Sequence, residues 1–327
     1  MNPAEASRDT SPSTAPVRLL VSKCLLGERV RYDGQHKYDP FVVEALGRFV
    51  EWERVCPEAD SGMPTPRPSM RLVGDPAAPR LINRNGEDLT EQMLGFVERR
   101  LEELAAVELC GYVCKKDSPN SGMTRVKVYD AKGNAARSGA GLFTASFLRR
   151  FPLVPVEEEG RLHDPRLRES FVERVFCRRR WLDLVANGRS RGALVEFHAD
   201  HKFLLLSHGR EGYAELGRLV AAAKRYRTDE LFRAYEKGFM AQLARPTTGK
   251  KVADVLMHMA GFFKKALTAG EKQELLSIID EYRRGLVPVA VPLVLLRHYV
   301  RKYDEPYLKR QVFLAPYPGE LMLRNFV

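Results

Sequence analysis

A chain of 327 residues with 44% hydrophobic content is long enough for one or two domains with a buried core. A net charge of +11 and a pI near 9.5 point either to a basic soluble surface or to a polyanionic partner, nucleic acid first. Cys24, Cys56, Cys110, Cys114 and Cys177 are an odd set in a long chain, which excludes a secreted disulfide framework and fits a reducing cytoplasm.

Residues 1–16 are rich in Pro, Ser, Thr and Ala and lack the pattern of a signal peptide, so a disordered lead-in is expected there. Val17 to Lys23 is an apolar run that suits a strand covered on both faces. Tyr38 to Val50 has helical spacing, and Glu51 to Val55 reads as a second short strand. Cys56 to Asp75 is a long Pro- and Gly-containing loop. Asp88, with Glu91 three residues on, predicts a capping box. The helix after it carries Met93, Phe96, Val97, Leu101 and Leu104 on one stripe. The central strand is Cys110 to Lys116, followed by the turn-rich Ser118-Pro119-Asn120-Ser121-Gly122. Arg125 to Tyr129 alternates, Asp130 to Asn134 turns, and Gly141 to Phe151 is helical. Leu153 and Val154 are expected to begin a last strand, held to an edge by Pro152 and Pro155.

Strands alternating with helices predict an α/β Rossmann-like domain with a mainly parallel sheet over residues 17–159. From Leu167 onward nearly every segment has helical spacing, so a mostly α-helical domain is expected over 160–327. The apolar run Leu286 to Leu296 holds Pro288 and Pro292 and is too short to span a bilayer.

Ligands of open parallel sheets sit beyond the carboxyl ends of the strands. Cys24 and Cys56 both fall there, as simple buried thiols or as soft ligands for a thiolate-bound metal or iron–sulfur centre. Cys114 lies four residues beyond Cys110, roughly 13 Å nearer that end, and strand periodicity puts the two on one face. Cys114 is therefore the expected third thiolate, and Cys110 a packed core residue.

Several stretches together resemble the thiouracil desulfurase family. They are Lys23-Cys24-Leu25-Leu26-Gly27, Arg31-Tyr32-Asp33-Gly34, Val55-Cys56-Pro57-Glu58, Pro66-Arg67-Pro68 and Lys115-Lys116-Asp117-Ser118-Pro119-Asn120-Ser121-Gly122-Met123. Phe197-His198-Ala199-Asp200-His201-Lys202, Gly261-Phe262-Phe263-Lys264-Lys265 and Leu323-Arg324-Asn325 resemble the helical domain found fused to it, as in two-domain tRNA thiouridine desulfidases. The resemblance implies a 4Fe–4S cluster on three cysteines with one open iron that binds the substrate sulfur. It makes Glu58 and Ser118 the candidates for acid/base work. Asp33, Arg67, Lys115, Lys116 and Ser121 become candidates for holding the base or a phosphate, or else a solvated surface. The family commonly has a cysteine where this chain has Ser121. Either Cys114 substitutes, or Ser121 binds as an alkoxide, or the cluster has been lost.

In the helical half, Arg178-Arg179-Arg180, Lys224-Arg225, Lys250-Lys251, Lys264-Lys265 and Arg301-Lys302 lie among Trp181, Tyr226, Phe262, Phe263, Tyr299 and Tyr303. Cations interleaved with aromatics suit RNA, with binding that weakens steeply in salt. His198, His201 and His208 lack a recognised metal signature and read as core or surface histidines. The expectation is an iron–sulfur desulfidase acting without net electron transfer on thiouracil bases, in tRNA or another thiolated RNA, in the cytoplasm. No nucleotide cofactor and no membrane contact are expected. The alternatives are a desulfurase of free thiouracil or thionucleosides, and a cluster-free RNA-binding protein.

Overall fold

The structure, a computed structural model, describes residues 15–137 and 139–326. The expected disordered lead-in lies almost wholly outside the described residues. The strands are β1 (Arg18–Ser22), β2 (Glu51–Val55), β3 (Met70–Val73), β4 (Arg80–Asn83), β5 (Leu109–Cys114), β6 (Lys127–Tyr129), β7 (Ala135–Arg137) and β8 (Val156–Glu158). The first half also holds helices α1 (Pro57–Asp60), α2 (Thr90–Ala105) and α3 (Leu142–Arg150). The long α4 (Pro165–Ala186) follows, then α5 (Arg191–Asp200), α6 (Lys202–His208), α7 (Arg210–Ala221) and α8 (Thr228–Leu243). The chain ends through α9 (Gly249–Ala260), α10 (Ala269–Arg283), α11 (Ala290–Lys302) and α12 (Pro306–Lys309). The fold is thus α/β followed by a mostly helical half. Among the described residues no helix is long and apolar enough to cross a membrane.

The main sheet has the order β2-β1-β5-β8 and every pairing in it is parallel. The two inner strands, β1 and β5, are short and largely apolar because both their faces are covered. Leu20, Tyr112 and Cys114 pack with Met93 and Phe96 of α2 and with Phe143 and Phe147 of α3. Leu19, Val21 and Val113 pack on the other face against Phe171, Val172 and Val175 of α4. The rest of α4 enters a third core, where Trp181 meets Tyr235 and Phe239. This helix, with Tyr317, Leu321 and Leu323 of the C-terminal segment, ties the sheet to the helical half.

Several local expectations are corrected. A second, mixed sheet of order β4-β3-β6-β7 occupies part of the stretch read as loop. The helical spacing from Tyr38 to Val50 resolves into a five-residue π-helix, Phe41–Ala45, and a 3₁₀ turn, Leu46–Arg48. The capping box does not form: Asp88 accepts from the Thr90 backbone at 3.0 Å and is bound by Arg80 at 2.7 Å, and α2 starts at Thr90. The last strand begins after Pro155, where backbone N–H groups are again free to pair, and it lies at the sheet edge.

Cys110 and Cys114 do not share a face. The register of β5 on β1 jumps from Arg18↔Leu109 to Leu19↔Gly111, a bulge that inserts Cys110 as an extra residue. Cys110 turns toward α4, and Cys114 toward α2 and α3.

Candidate functional site

Three adjacent parallel strands, β2, β1 and β5, deliver their following loops to one edge of the sheet. A cavity of about 480 Å³ opens there. It is lined by Cys24 after β1, Cys56 and Glu58 after β2, and Lys115, Lys116, Ser118 and Ser121 after β5, with Arg31 and Arg67 from neighbouring loops. The backbone N–H of Arg67 donates to the Tyr32 carbonyl at 2.9 Å, which joins those two loops.

The thiol loops are tied together by one carboxylate. Asp60 accepts from Lys23 at 2.5 Å and from the Cys56 backbone N–H at 2.9 Å. Burial raises the Cys24 thiol to about 11, against the pull of Lys115. Burial, then the charge of Glu58, raises Cys56 to about 12. Both are therefore protonated at neutral pH, and a metal binding there would have to displace the proton.

Glu58 is the hub, 8% exposed. Its Oε1 accepts from Asn120 Nδ2 at 2.8 Å and lies 3.5 Å from Ser118 Oγ. Its Oε2 lies 3.4 Å from Cys56 Sγ and 3.9 Å from the Arg67 guanidinium. Ser118 Oγ in turn accepts from the backbone N–H of Asn120 at 3.2 Å and of Ser121 at 3.0 Å. With its lone pairs so engaged, its proton is left to point at Glu58. Ser118 thus both shapes the turn and reaches the carboxylate.

Other contacts hold the β5 loop still. Glu158 accepts from the Met123 and Thr124 backbone at 2.9 and 3.2 Å, and Thr144 donates to the Ser121 carbonyl at 2.7 Å. Gly141 packs so close that a Cβ there would stand 2.5 Å from the Asn120 carbonyl carbon.

The expected site residues divide cleanly. Cys24, Cys56, Glu58, Ser118, Ser121, Arg67 and Lys115 line one cavity. Lys115 is ion-paired with Glu159, while the Arg67 Nε is buried with no hydrogen-bond partner. Asp33 stands outside, bonded to Arg31 at 3.4 Å and to the Gln35 backbone at 3.1 Å. Cys114 is also outside: fully buried, it points at the Glu157 carbonyl 3.5 Å away, and burial raises it well above the ordinary thiol value. Asn120, fully buried on Glu58, was not singled out from sequence; the only signal was its place between Ser118 and Ser121.

Among the described residues no three His, Cys, Asp or Glu side chains converge on one metal-ion position. The cavity wall offers two thiols and the Ser121 hydroxyl. This donor set fits a thiolate-bound cluster at two points and is one thiolate short of three.

In the helical half, the Arg178-Arg179-Arg180 run is interior. Arg178 donates to the Leu109 carbonyl at 2.7 Å, Arg179 pairs with Glu108 at 3.0 Å, and Arg180 donates to the Pro316 carbonyl at 2.7 Å. Trp181, Phe263 and Tyr299 are buried. His198 meets the Tyr235 hydroxyl at 3.0 Å and His208 meets Glu173 at 2.8 Å, so both are core residues.

Residues 19–159 match the family model described as 2-thiouracil desulfurase, and residues 202–318 match one described as a protein of unknown function (DUF1722). The chain is 30% identical over 161 residues to the uncharacterized protein YbgA of Escherichia coli (strain K12), covering 49% of this chain and 95% of that protein. It is 26% identical over 113 residues to the uncharacterized protein YbbK of Bacillus subtilis (strain 168), covering 32% of this chain and 72% of that one. A solved structure titled [4Fe-4S]-dependent thiouracil desulfidase TudS is 32% identical, covering 45% of this chain and 93% of that one, with a TM-score of 0.38. The chain therefore belongs to the same family as YbgA, and its residues 19–159 match the model of the 2-thiouracil desulfurase family.

Proposed function

We propose that this protein hydrolyses the carbon–sulfur bond of a thiolated uracil base carried in RNA, tRNA being the expected carrier. The observation that carries the reading is the Glu58 hub, with Ser118, Arg67 and two thiols around one cavity, inside the stretch that matches the desulfurase model. Cys24 and Cys56 are the residues that would hold an iron–sulfur cluster, which when bound supplies a thiophilic acceptor for the substrate sulfur.

The remaining chemistry falls to the chain's own groups. The reaction replaces C=S by C=O, with oxygen from water and sulfur leaving as hydrosulfide, and no net electron is needed. Glu58 takes the proton of the attacking water directly through Oε2, while Ser118 and Asn120 hold Oε1. Asn120 fixes the carboxylate's orientation. Arg67 has a buried Nε available for the carbonyl oxygen of the base. RNA as the carrier is supported by the net charge of +11 and by exposed Tyr226 and Phe262 beside the exposed Lys224, Arg225, Lys264 and Lys265.

The test is anaerobic purification, iron and acid-labile sulfide analysis, and then thiouridine content of bulk tRNA after incubation, with free thiouracil in parallel. Loss of thiouridine with release of hydrosulfide is expected. Sulfur loss from the free base alone would move the reading to small substrates. Iron-loaded protein that leaves both substrates intact would end it.

A further inference from the structure

A second cavity, about 720 Å³, lies between the start of α4, the turn from α8 into α9, the end of α10 and the C-terminal segment. Its floor is a satisfied network. Arg324 bonds Glu169 at 2.9 Å and Glu173 at 3.5 Å, and His208 bridges Glu173 at 2.8 Å and the Arg245 carbonyl at 2.6 Å. Glu157, on the wall, is held by Arg161 at 2.6 Å. The carboxylates of this cavity are thus already matched.

Arg174 is not. It lines the same cavity, half-buried, and its Nε donates to the Ser170 carbonyl at 3.2 Å within its own helix. Among the described residues no carboxylate lies within the 4.0 Å of an ion pair. Glu157 and Glu173 act on it only from beyond that distance, and burial outweighs their pull and lowers its pKa, so an incoming anion would relieve the remaining cost of desolvation. Arg166 adds a second cation at the exposed rim.

The same cavity is also lined by donors. Thr247, Thr248 and Gly249 line it where α9 begins, and the first turn of α9 carries no acidic residue. The Thr248 oxygen caps Lys251 N at 3.3 Å, which leaves the first backbone N–H groups of the helix without intrahelical acceptors. A guanidinium and such donors lining one cavity match the tetrahedral oxygens of phosphate. The volume is in the range of nucleotide-sized pockets. We propose that this cavity is a phosphate site, in which Arg174 and the opening turn of α9 hold the phosphate of a nucleotide or of an RNA backbone.

The test uses the full chain and reads binding, so it is independent of whether sulfur is removed. Inorganic phosphate, uridine 5′-monophosphate and an unthiolated RNA are titrated against wild type, Arg174→Gln and Thr248→Asp. Thr248→Asp keeps a good helix cap while adding a negative charge at the site, so the fold is retained. Each substitution is expected to weaken nucleotide binding at least tenfold. Displacement of RNA by phosphate, with the RNA affinity of Thr248→Asp also reduced, supports the site and makes RNA the source. Nucleotide binding that is sensitive to both substitutions while RNA affinity is unchanged supports it with a free nucleotide as ligand. Affinities for all three probes that are equal in wild type and in folded Thr248→Asp would overturn it.

Discussion

The Glu58 carboxylate touches four side chains, and the consequences can be separated by substitution. Glu58→Gln preserves size and can still accept from Asn120, but it cannot take a proton. Sulfur removal is expected to fall by about 10²–10⁴ while substrate affinity changes little. A large rise in KM with kcat intact would instead make Glu58 a binding residue. Ser121 poses a different question. It stands on the cavity wall with Cys24 and Cys56, so Ser121→Cys supplies the missing thiolate without moving the backbone. More iron per chain after anaerobic reconstitution is expected, and iron content equal to wild type would show that the third position lies elsewhere. Much of this site was legible in the sequence, because Cys24, Cys56, Glu58 and Ser118 each follow a strand end directly or within a short loop. The place of Cys114 was not legible. Alternation along a strand assumes an unbroken register, and the bulge at Cys110 breaks it. Nor was Asn120, whose role depends on a residue 62 positions away.

At the scale of elements, the site depends on how closely α4 lies on the sheet. Gly111 makes that approach possible. A Cβ there would stand 2.6 Å from Leu19 Cδ2, 2.8 Å from Val175 Cγ2 and 3.3 Å from Phe171 Cζ. Gly111→Ala is therefore expected to destabilise the fold by about 1–3 kcal/mol through overpacking. Denaturant unfolding measures this, and an unchanged midpoint would mean that the helix shifts without cost. The apolar strands and the stripe of α2 were legible because burial on a fixed face imposes its period on the sequence. Of the second sheet only the alternation at β6 and the turn after it were legible, since β7 is three residues long and, like the pairing of β3 with β4 and β6, is defined by its partners. The Asp88 capping signal failed for a related reason: Arg80, on β4, competes for the same carboxylate.

The sheet and the helical half are joined by α4 and by the C-terminal segment, and charge is distributed unevenly between interior and surface. The triple arginine of α4 and Arg324 serve the interior, so their number overstates the surface available to RNA. The buried histidines give the assembly a pH dependence of definite sign. His201 stacks on Phe197 at 4.0 Å, donates through Nδ1 to the Phe197 carbonyl at 2.7 Å, and has a buried, unpartnered Nε2. Burial lowers its pKa to about 3, and lowers His198 to about 4. In the unfolded chain both titrate near 6.5. Below that pH the unfolded chain binds protons that the folded one refuses, so stability falls as the pH falls. Each histidine contributes a slope of up to about 1.4 kcal/mol per pH unit, His198 down to about 4 and His201 down to about 3. Urea unfolding at pH values from 7.5 to 4.5 should show this loss. His201→Asn keeps an N–H toward the Phe197 carbonyl and removes the titrating ring, so its slope should be flatter by about one proton. Imidazole resonances of His201 should stay at their neutral position throughout the same range in the native protein. A native His201 that titrates near 6.5, or a variant with the wild-type slope, would show that the ring is hydrated and that the helical core is looser than its packing implies.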